Sequence, residues 1–441
     1  MLVSEHPVPV LRDENQVRVQ LESAVSASAD VVRVAHKPTR YGDRVRLRYA
    51  YRLDPTPGQR IALAKAFGCA RVVFNDAVAT RRAAHLAGDP YPSDASLSKA
   101  LTAAKKTPER AWLAEVSAVV LQQALADANT AYRNFFASLT GKRKGRKLGT
   151  PRFRSKRDRA QSIRFSKAAR FRVTPAGCLR LAGVGDVPVR WSRELPADAS
   201  SVTVTVDATG RYHASFVVEV DDQLLPPTGR EVGIDLGLTH FAVLSDGRKV
   251  DNPRVARKAA RKLRRAQHEL SRRQKGSANR GKSVRKVARC HARVGDTRRD
   301  WLHKLSTTIV RENQAVYVED LAVSGLARTR LARSVNDAGW STFVGMLAYK
   351  AARHGRTFAK VDRWLPSTRA CSTCGTIGEA KPLHVREWVC PCGAVHDRDI
   401  NAAINILAAG RADRPTPVEL VSDGTPVPQP AVNQEPTGSA A

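Results

Sequence analysis

The chain has 441 residues, 42% of them hydrophobic, and sets 74 Lys and Arg against 41 Asp and Glu for a formal charge of +33. That apolar content can core about two to four compact units, and the charge points to a polyanionic partner rather than a small-molecule substrate. No stretch approaches the ~18 apolar residues of a membrane span, and the N-terminal segment has no signal-peptide core. Nucleic acid is therefore the expected partner, met in the cytoplasm at the nucleoid, with no role for a membrane.

Residues 1–40 show no sustained period, and 411–441 are rich in Pro, Gly, Ser and Gln, so both ends are expected to be disordered. Order is expected to start at RVRLRYAYRL, where Val45, Leu47, Tyr49, Tyr51 and Leu53 alternate with Arg46, Arg48 and Arg52. A period of two means a strand with an apolar back and a basic front, whose Arg46, Arg48 and Arg52 are candidate nucleic-acid contacts. Thr56, Pro57 and Gln59 then form a capping-box signature that starts a helix, and the chain reads as helical over about 57–140.

The run GKRKGRKLGTPRFRSKRDR follows, too basic and Gly-bearing to fold alone. Its Lys142, Arg143, Lys144, Arg146, Lys147, Arg152 and Arg154 are candidate phosphate ligands, because an unbroken positive run repels itself unless neutralised. From 163 to 220 short apolar runs alternate with turn residues and end in a hairpin at Asp207–Gly210, which suggests a small antiparallel barrel. The strand at 45–53 would complete it, making the helical stretch an insertion. The linker Pro226–Gly229 closes this half.

In the second half, strand-like runs in EVGIDLGLTHFAVLSDGRKV, QAVYVED and TFAKV alternate with helical patterns, which indicates an α/β domain. An Arg-rich helical pair, turning around Gly276–Gly281, offers a second basic face over 254–300. Trp112, Trp340 and Trp364 are expected in cores rather than as stacking platforms.

Three acids fall at the edges of these elements: Asp235 in GIDLG, Glu319 in VYVED and Asp399 in HDRDINAAINIL. Taken singly, each has a structural reading, as a strand end, a surface acid and a helix N-cap. As an ordered set they suit phosphodiester hydrolysis by two divalent ions, Mg²⁺ with Mn²⁺ as substitute, since hard ions prefer carboxylate oxygen. Asp235 would bridge both ions; Asp397 is the second choice for the last position.

Cys371 and Cys374 in CSTCG and Cys390 and Cys392 in CPCG have the spacing of a zinc ribbon, except that the second knuckle is one residue short. His384 or His396 could complete the site. Four protein ligands leave no open position, so the Zn²⁺ would be structural. The remaining Cys69, Cys178 and Cys290 are scattered and read as packed thiols.

With GIDLG, VYVEDL, CSTCG, CPCG and DRDINAAINIL in this order, the sequence from about 45 to 410 resembles TnpB, the RNA-guided nuclease family of insertion sequences and relative of type V CRISPR effectors. The resemblance implies a multidomain α/β plus β fold. A wedge-like β-barrel (41–225) with a helical recognition insertion would precede an RNase H-like (RuvC) domain (230–410) with a zinc ribbon inserted at about 366–396. It also implies a guide RNA transcribed from the transposon end and a double-stranded DNA target with a short adjacent motif. Its catalytic acids map onto Asp235, Glu319 and Asp399. Two alternatives remain: a nuclease-inactive RNA-guided DNA-binding repressor, and a transposase or accessory protein with a helix-turn-helix near 57–80.

Overall fold

The computed structural model describes residues 40–412, apart from 42–43, 157, 159–160 and 383. The disordered ends expected over 1–40 and 411–441 thus lie almost wholly outside the described residues. The chain folds as two compact units. The first ends at Arg230 and adds 252–315 and 323–358; the second comprises 231–251, 316–322 and the residues from 359 onward.

In the first unit, β1 (Arg40–Tyr41), β2 (Arg44–Leu53), β3 (Gln161–Ser166), β4 (Arg172–Val173), β5 (Cys178–Leu181), β6 (Gly185–Arg190), β7 (Ala199–Val206) and β8 (Tyr212–Asp221) form one antiparallel sheet. Its order is β3-β7-β8-β2-β6-β5-β4, with β1 on β2, so the expected barrel takes the form of a curled half-barrel. The strand at 45–53 is central to it, pairing with β8 along its whole length and with β6 at its end.

The alternation in β2 does what its period demands. Val45, Tyr51 and Leu53 are buried while Arg46, Arg48 and Arg52 are exposed. Tyr51 packs on Trp191 and Phe216, with ring centroids 4.7 and 5.8 Å away. The hairpin turn is as expected: Gly210 has φ +82° and donates to the Asp207 carbonyl at 2.9 Å.

Between β2 and β3 the chain forms α1 (Pro57–Ala87), α2 (Asp94–Ala104) and α3 (Ala118–Leu139). The capping box at the start of α1 is formed: Gln59 N–H donates to Thr56 Oγ1 (3.4 Å) and Thr56 N–H to Gln59 Oε1 (3.0 Å). Leu63, Phe67 and Phe74 of α1 and Leu121 and Leu125 of α3 share one core with Ile163 and Phe165 of β3. The insertion is therefore packed on the sheet it interrupts.

The basic helical pair is α4 (Val255–Ser271) and α5 (Ala278–Glu312). Only Gly276, at φ +89°, belongs to the connection; Gly281 lies inside α5, which Ser277 caps through a 3.1 Å bond from Arg280 N–H. The unit ends with α6 (Val323–Leu326), α7 (Ala332–Ala338) and α8 (Trp340–Arg353). Lys350 of α8 is buried against α5, donating to His303 O, Ser306 Oγ and Thr307 Oγ1 at 2.7 Å each.

In the second unit, β9 (Glu231–Asp235), β10 (His240–Leu244), β11 (Lys249–Asp251), β12 (Ala315–Glu319) and β13 (Thr357–Val361) form a sheet ordered β11-β10-β9-β12-β13. Val232 and Ile234 of β9, Phe241–Leu244 of β10 and residues 315–318 of β12 are all buried, the continuous apolar runs of strands covered on both faces. A two-stranded ribbon, β14 (Glu387–Val389) and β15 (Val395–Asp397), leads into α9 (Arg398–Ala412).

α9 lies unusually close to the sheet, and two glycines allow it. A Cβ on Gly233 would fall 2.5 Å from the Leu407 nitrogen and closer still to the Ala403 carbonyl oxygen. One on Gly410 would fall 2.8 Å from Tyr317 Cβ and closer to its ring. With no Cβ at either position, α9 seats backbone to backbone on β9 and against β12. This close approach fixes the height at which the first turn of α9 stands over the sheet.

Candidate active site and metal centre

Asp235 is the last residue of β9 and Glu319 the last residue of β12, its neighbour in the sheet. Asp399 lies in the first turn of α9, which packs on β9 and β10. Two strand ends and a helix start thus bring the three acids into electrostatic reach of one another. The Asp235 carboxyl is pushed up to about 7, foremost by desolvation and then by the charges of Glu319 and Asp399, with Arg398 opposing. Burial, and then Asp320, also raises Glu319. Mutually repelling, desolvated carboxylates are a donor set that divalent cations relieve.

The alternatives for individual acids separate here. The N-cap of α9 is Asp397, whose Oδ1 accepts from the backbone N–H of Asp399 (3.1 Å) and Ile400 (3.0 Å), while its Oδ2 accepts from Lys249 Nζ at 2.5 Å. Burial works against ionising Asp397, but these bonds and the Lys249 charge prevail and hold it below the usual carboxylate range. With the cap filled, Asp399 is spared that task. Its carboxylate instead faces Arg386, whose Nη1 lies 3.1 and 3.3 Å from its two oxygens. Asp320, next to Glu319, pairs with Lys360 and Arg363.

The Arg386 guanidinium sits where a cation at Asp399 would have to compete with it. Replacing Arg386 with Ala should therefore tighten Mn²⁺ binding several-fold, equivalent to about 1 kcal/mol for a partly exposed pair, as read by titration calorimetry. Unchanged or weaker binding would show that the arginine helps to hold the site together.

The four candidate zinc ligands do converge. Cys371, Cys374, Cys390 and Cys392 place their sulfurs within 4.8 Å of one another, with 3.8 Å between Cys371 and Cys392 and 3.6 Å between Cys374 and Cys390. Thiolates 2.3 Å from a tetrahedral zinc stand about 3.8 Å apart. The donor set therefore fits the ion despite the short second knuckle. His396 is buried with Nε2 3.0 Å from Cys371 Sγ, placed to donate to that sulfur from outside the cluster. His384 is exposed and outside it.

Sequence reasoning missed what ties this cluster to the acids. Asn401 Nδ2 donates to the Ser367 and Ala370 carbonyls (3.3 and 2.8 Å), and its Oδ1 accepts from Ser372 N–H at 2.9 Å. Asn405, one turn on, donates to the same two carbonyls at 2.8 Å each. The segment holding the first cysteine is thus clasped to the helix that carries Asp399. Two asparagines four residues apart within an apolar stripe were the available signal.

Among the candidate nucleic-acid contacts, Lys142, Lys144, Arg146, Lys147 and Arg152 are exposed. Arg143 is half-buried and folds back onto the Arg146 carbonyl at 3.2 Å. Arg154 is built into the helical insertion: its guanidinium lies 3.8 Å from the Phe74 ring centroid and 3.1 Å from Asp127. Arg46 is exposed but bonds Glu219 at 2.8 Å; Arg52 stands 4.0 Å from Asp54. Along α4 and just past its end, Arg261, Arg264, Arg265, His268, Arg272 and Arg273, with Glu269 among them, line a mainly basic groove. Trp340 is buried as expected, whereas Trp112 is partly exposed and Trp364 is 83% exposed, contrary to the core placement. No helix among the described residues is long and apolar enough to cross a membrane.

Three family models match the chain: one described as "Probable transposase" over residues 215–330, one as "Cas12f1-like, TNB domain" over 340–406, and one as "Helix-turn-helix domain" over 45–89. The last segment is a strand followed by a single 31-residue helix, α1, which contains no turn. A protein of Streptomyces pristinaespiralis named "Putative RNA-guided DNA endonuclease" is 46% identical over 373 residues, covering 84% of this chain and 90% of its own length. InsQ of Escherichia coli (strain K12), given the same description, is 30% identical over 407 residues, 88% of this chain and 97% of its own. The solved structure of a Cas12f1–sgRNA–target DNA complex is similar over 79% of this chain and 82% of that one, with a TM-score of 0.49 and 14% identity.

Proposed function

The chain belongs to the TnpB family, and from that premise we propose that it is an RNA-guided DNA endonuclease of a transposable element that cuts by two-metal hydrolysis at one RuvC-like site. The observation that carries this reading is the grouping of Asp235, Glu319 and Asp399, close enough for the latter two to raise the Asp235 pKa. A five-stranded sheet with the bridging acid at the end of its middle strand supports an RNase H-like core.

In this reading Asp235 would hold both Mg²⁺ ions, or Mn²⁺, with Glu319 and Asp399 each completing one. The ions would supply the activation of the attacking water and the charge stabilisation of the leaving oxygen. The protein's part is placement: β9 and β12 fix two acids on a rigid sheet, the Gly233 contact fixes the third, and Asp397 keeps the helix start capped. Zn²⁺ on the four cysteines is structural. The exposed basic loop and the arginine-lined groove along α4 fit the phosphates of a guide RNA transcribed from the transposon end and of a double-stranded DNA target with a short adjacent motif. Such a protein would work in the cytoplasm at the nucleoid.

The test is to purify the protein with its native flanking DNA transcribed, sequence any bound RNA, and assay Mg²⁺-dependent cutting of a matching target. Asp235→Ala should lower cutting by at least about 100-fold with RNA still bound. Persistent cutting would show that the site is wrong, and the absence of bound RNA would remove the guided reading.

A further inference from the structure

Trp364 is the most exposed aromatic side chain among the described residues, at 83%. Its loop leaves the sheet beside Asp320, the neighbour of Glu319. β13 ends at Val361, whose carbonyl accepts from Asp320 N–H at 3.2 Å, so the loop that follows leaves the sheet next to Glu319. That loop is fixed at both ends. The Asp362 carboxylate accepts from Trp364 N–H at 2.9 Å, and the Ser367 carbonyl is held by Asn401 and Asn405.

Its charged neighbours along the chain are three cations, Lys360, Arg363 and Arg369, and one acid, Asp362. Arg363 and Lys360 both reach Asp320, and each leaves 46% of its side chain exposed. Asp362, Arg363 and Arg369 are the exposed neighbours in the loop. A protein-docking patch joins several apolar side chains, whereas a lone indole among guanidinium and ammonium groups matches a base with its phosphates. Aromatic faces bind successive bases of a single strand without regard to sequence.

We propose that Trp364 is a stacking platform for an unpaired base of the strand entering the acidic site, with Lys360 and Arg363 meeting its phosphates. This inference rests on the nuclease reading for its purpose, but its test needs no cutting. Trp364 touches none of the three acids; it positions substrate.

The experiment uses the full chain carrying Asp235→Asn and a short labelled single-stranded DNA of mixed sequence that contains 5-iododeoxyuridine. Irradiation should crosslink the DNA to the peptide holding Trp364. Trp364→Ala should weaken binding by roughly tenfold, within the range of one stacked base, and Trp364→Phe should restore most of it. Because no charge changes, the slope of affinity against salt should be the same in all three proteins. An exposed side chain leaves little packing to lose, so the melting temperature should not move.

Equal binding by Trp364→Ala, or crosslinks that avoid this peptide, would overturn the proposal. So would a concentration-dependent dimer that the Ala variant abolishes, which would assign the indole to a second copy of the chain. Failure of Asp235→Ala to stop cutting would instead strike the nuclease reading and leave the binding result standing.

Discussion

Cys371→Ser should cost the protein about one zinc ion per chain and, with it, nearly all DNA cutting, although the cysteines hold none of the reacting atoms. Structural zinc contributes on the order of 10 kcal/mol to small metal-bound folds, far more than the two short strands β14 and β15 could supply alone. Loss of the ion should loosen the segment from Cys371 to Cys392. The consequence for catalysis runs through α9: Ser367, Ala370 and Ser372 are bound to Asn401 and Asn405 on the helix that carries Asp399.

The expected signature is therefore double. Metal analysis should show zinc falling while proteolysis opens the ribbon, and calorimetry should show weaker Mn²⁺ binding at the acids. Asn401→Ala should reproduce the second effect with the zinc retained, because it cuts the clasp and spares the thiols. If Cys371→Ser removes the zinc and cutting persists undiminished, the ribbon is independent of the site.

The parts of this arrangement differ in how far the sequence announces them. β2 was readable because five inward positions alternate with arginines over one strand, and α1 because Thr56, Pro57 and Gln59 make a cap that depends on local backbone alone. The acids stood out at the ends of apolar runs. The cluster of four thiols was evident from spacing, but whether the short knuckle could close was a question of three-dimensional reach; here the sulfurs converge without a histidine ligand.

What stayed hidden depends on which atoms meet across the fold. GIDLG shows a glycine beside an acid, but only the seating of α9 reveals that Gly233 has no room for a Cβ. The sequence points to Asp399 as the N-cap, whereas Asp397 fills that place, its other oxygen held by Lys249, which lies nearly 150 positions away in sequence. An indole is expected in a core by habit, yet Trp364 is 83% exposed, which its position in the sequence does not announce.

The cost of assembling three carboxylates should be measurable as stability. An unfolded aspartate ionises near 3.8, whereas Asp235 in the folded chain keeps its proton up to about 7. As pH rises between those values the unfolded state sheds a proton that the folded state retains. The folded state therefore loses stability across that interval, with the full penalty reached above about pH 7. Its upper bound is about 4 kcal/mol, and relaxation around a half-buried group should leave roughly 2.

Asp235→Asn has no proton to lose. In buffer without added divalent cation, denaturant midpoints should show it more stable than the parent by roughly 2 kcal/mol at pH 8, with the gap closing below about pH 4. Added Mg²⁺ should stabilise the parent and narrow the difference at pH 8, because the cation relieves the repulsion that the amide removes. A variant equal to or less stable than the parent at pH 8 would mean that Asp235 is already compensated by its protein neighbours, and the carboxylates would then not be poised for metal.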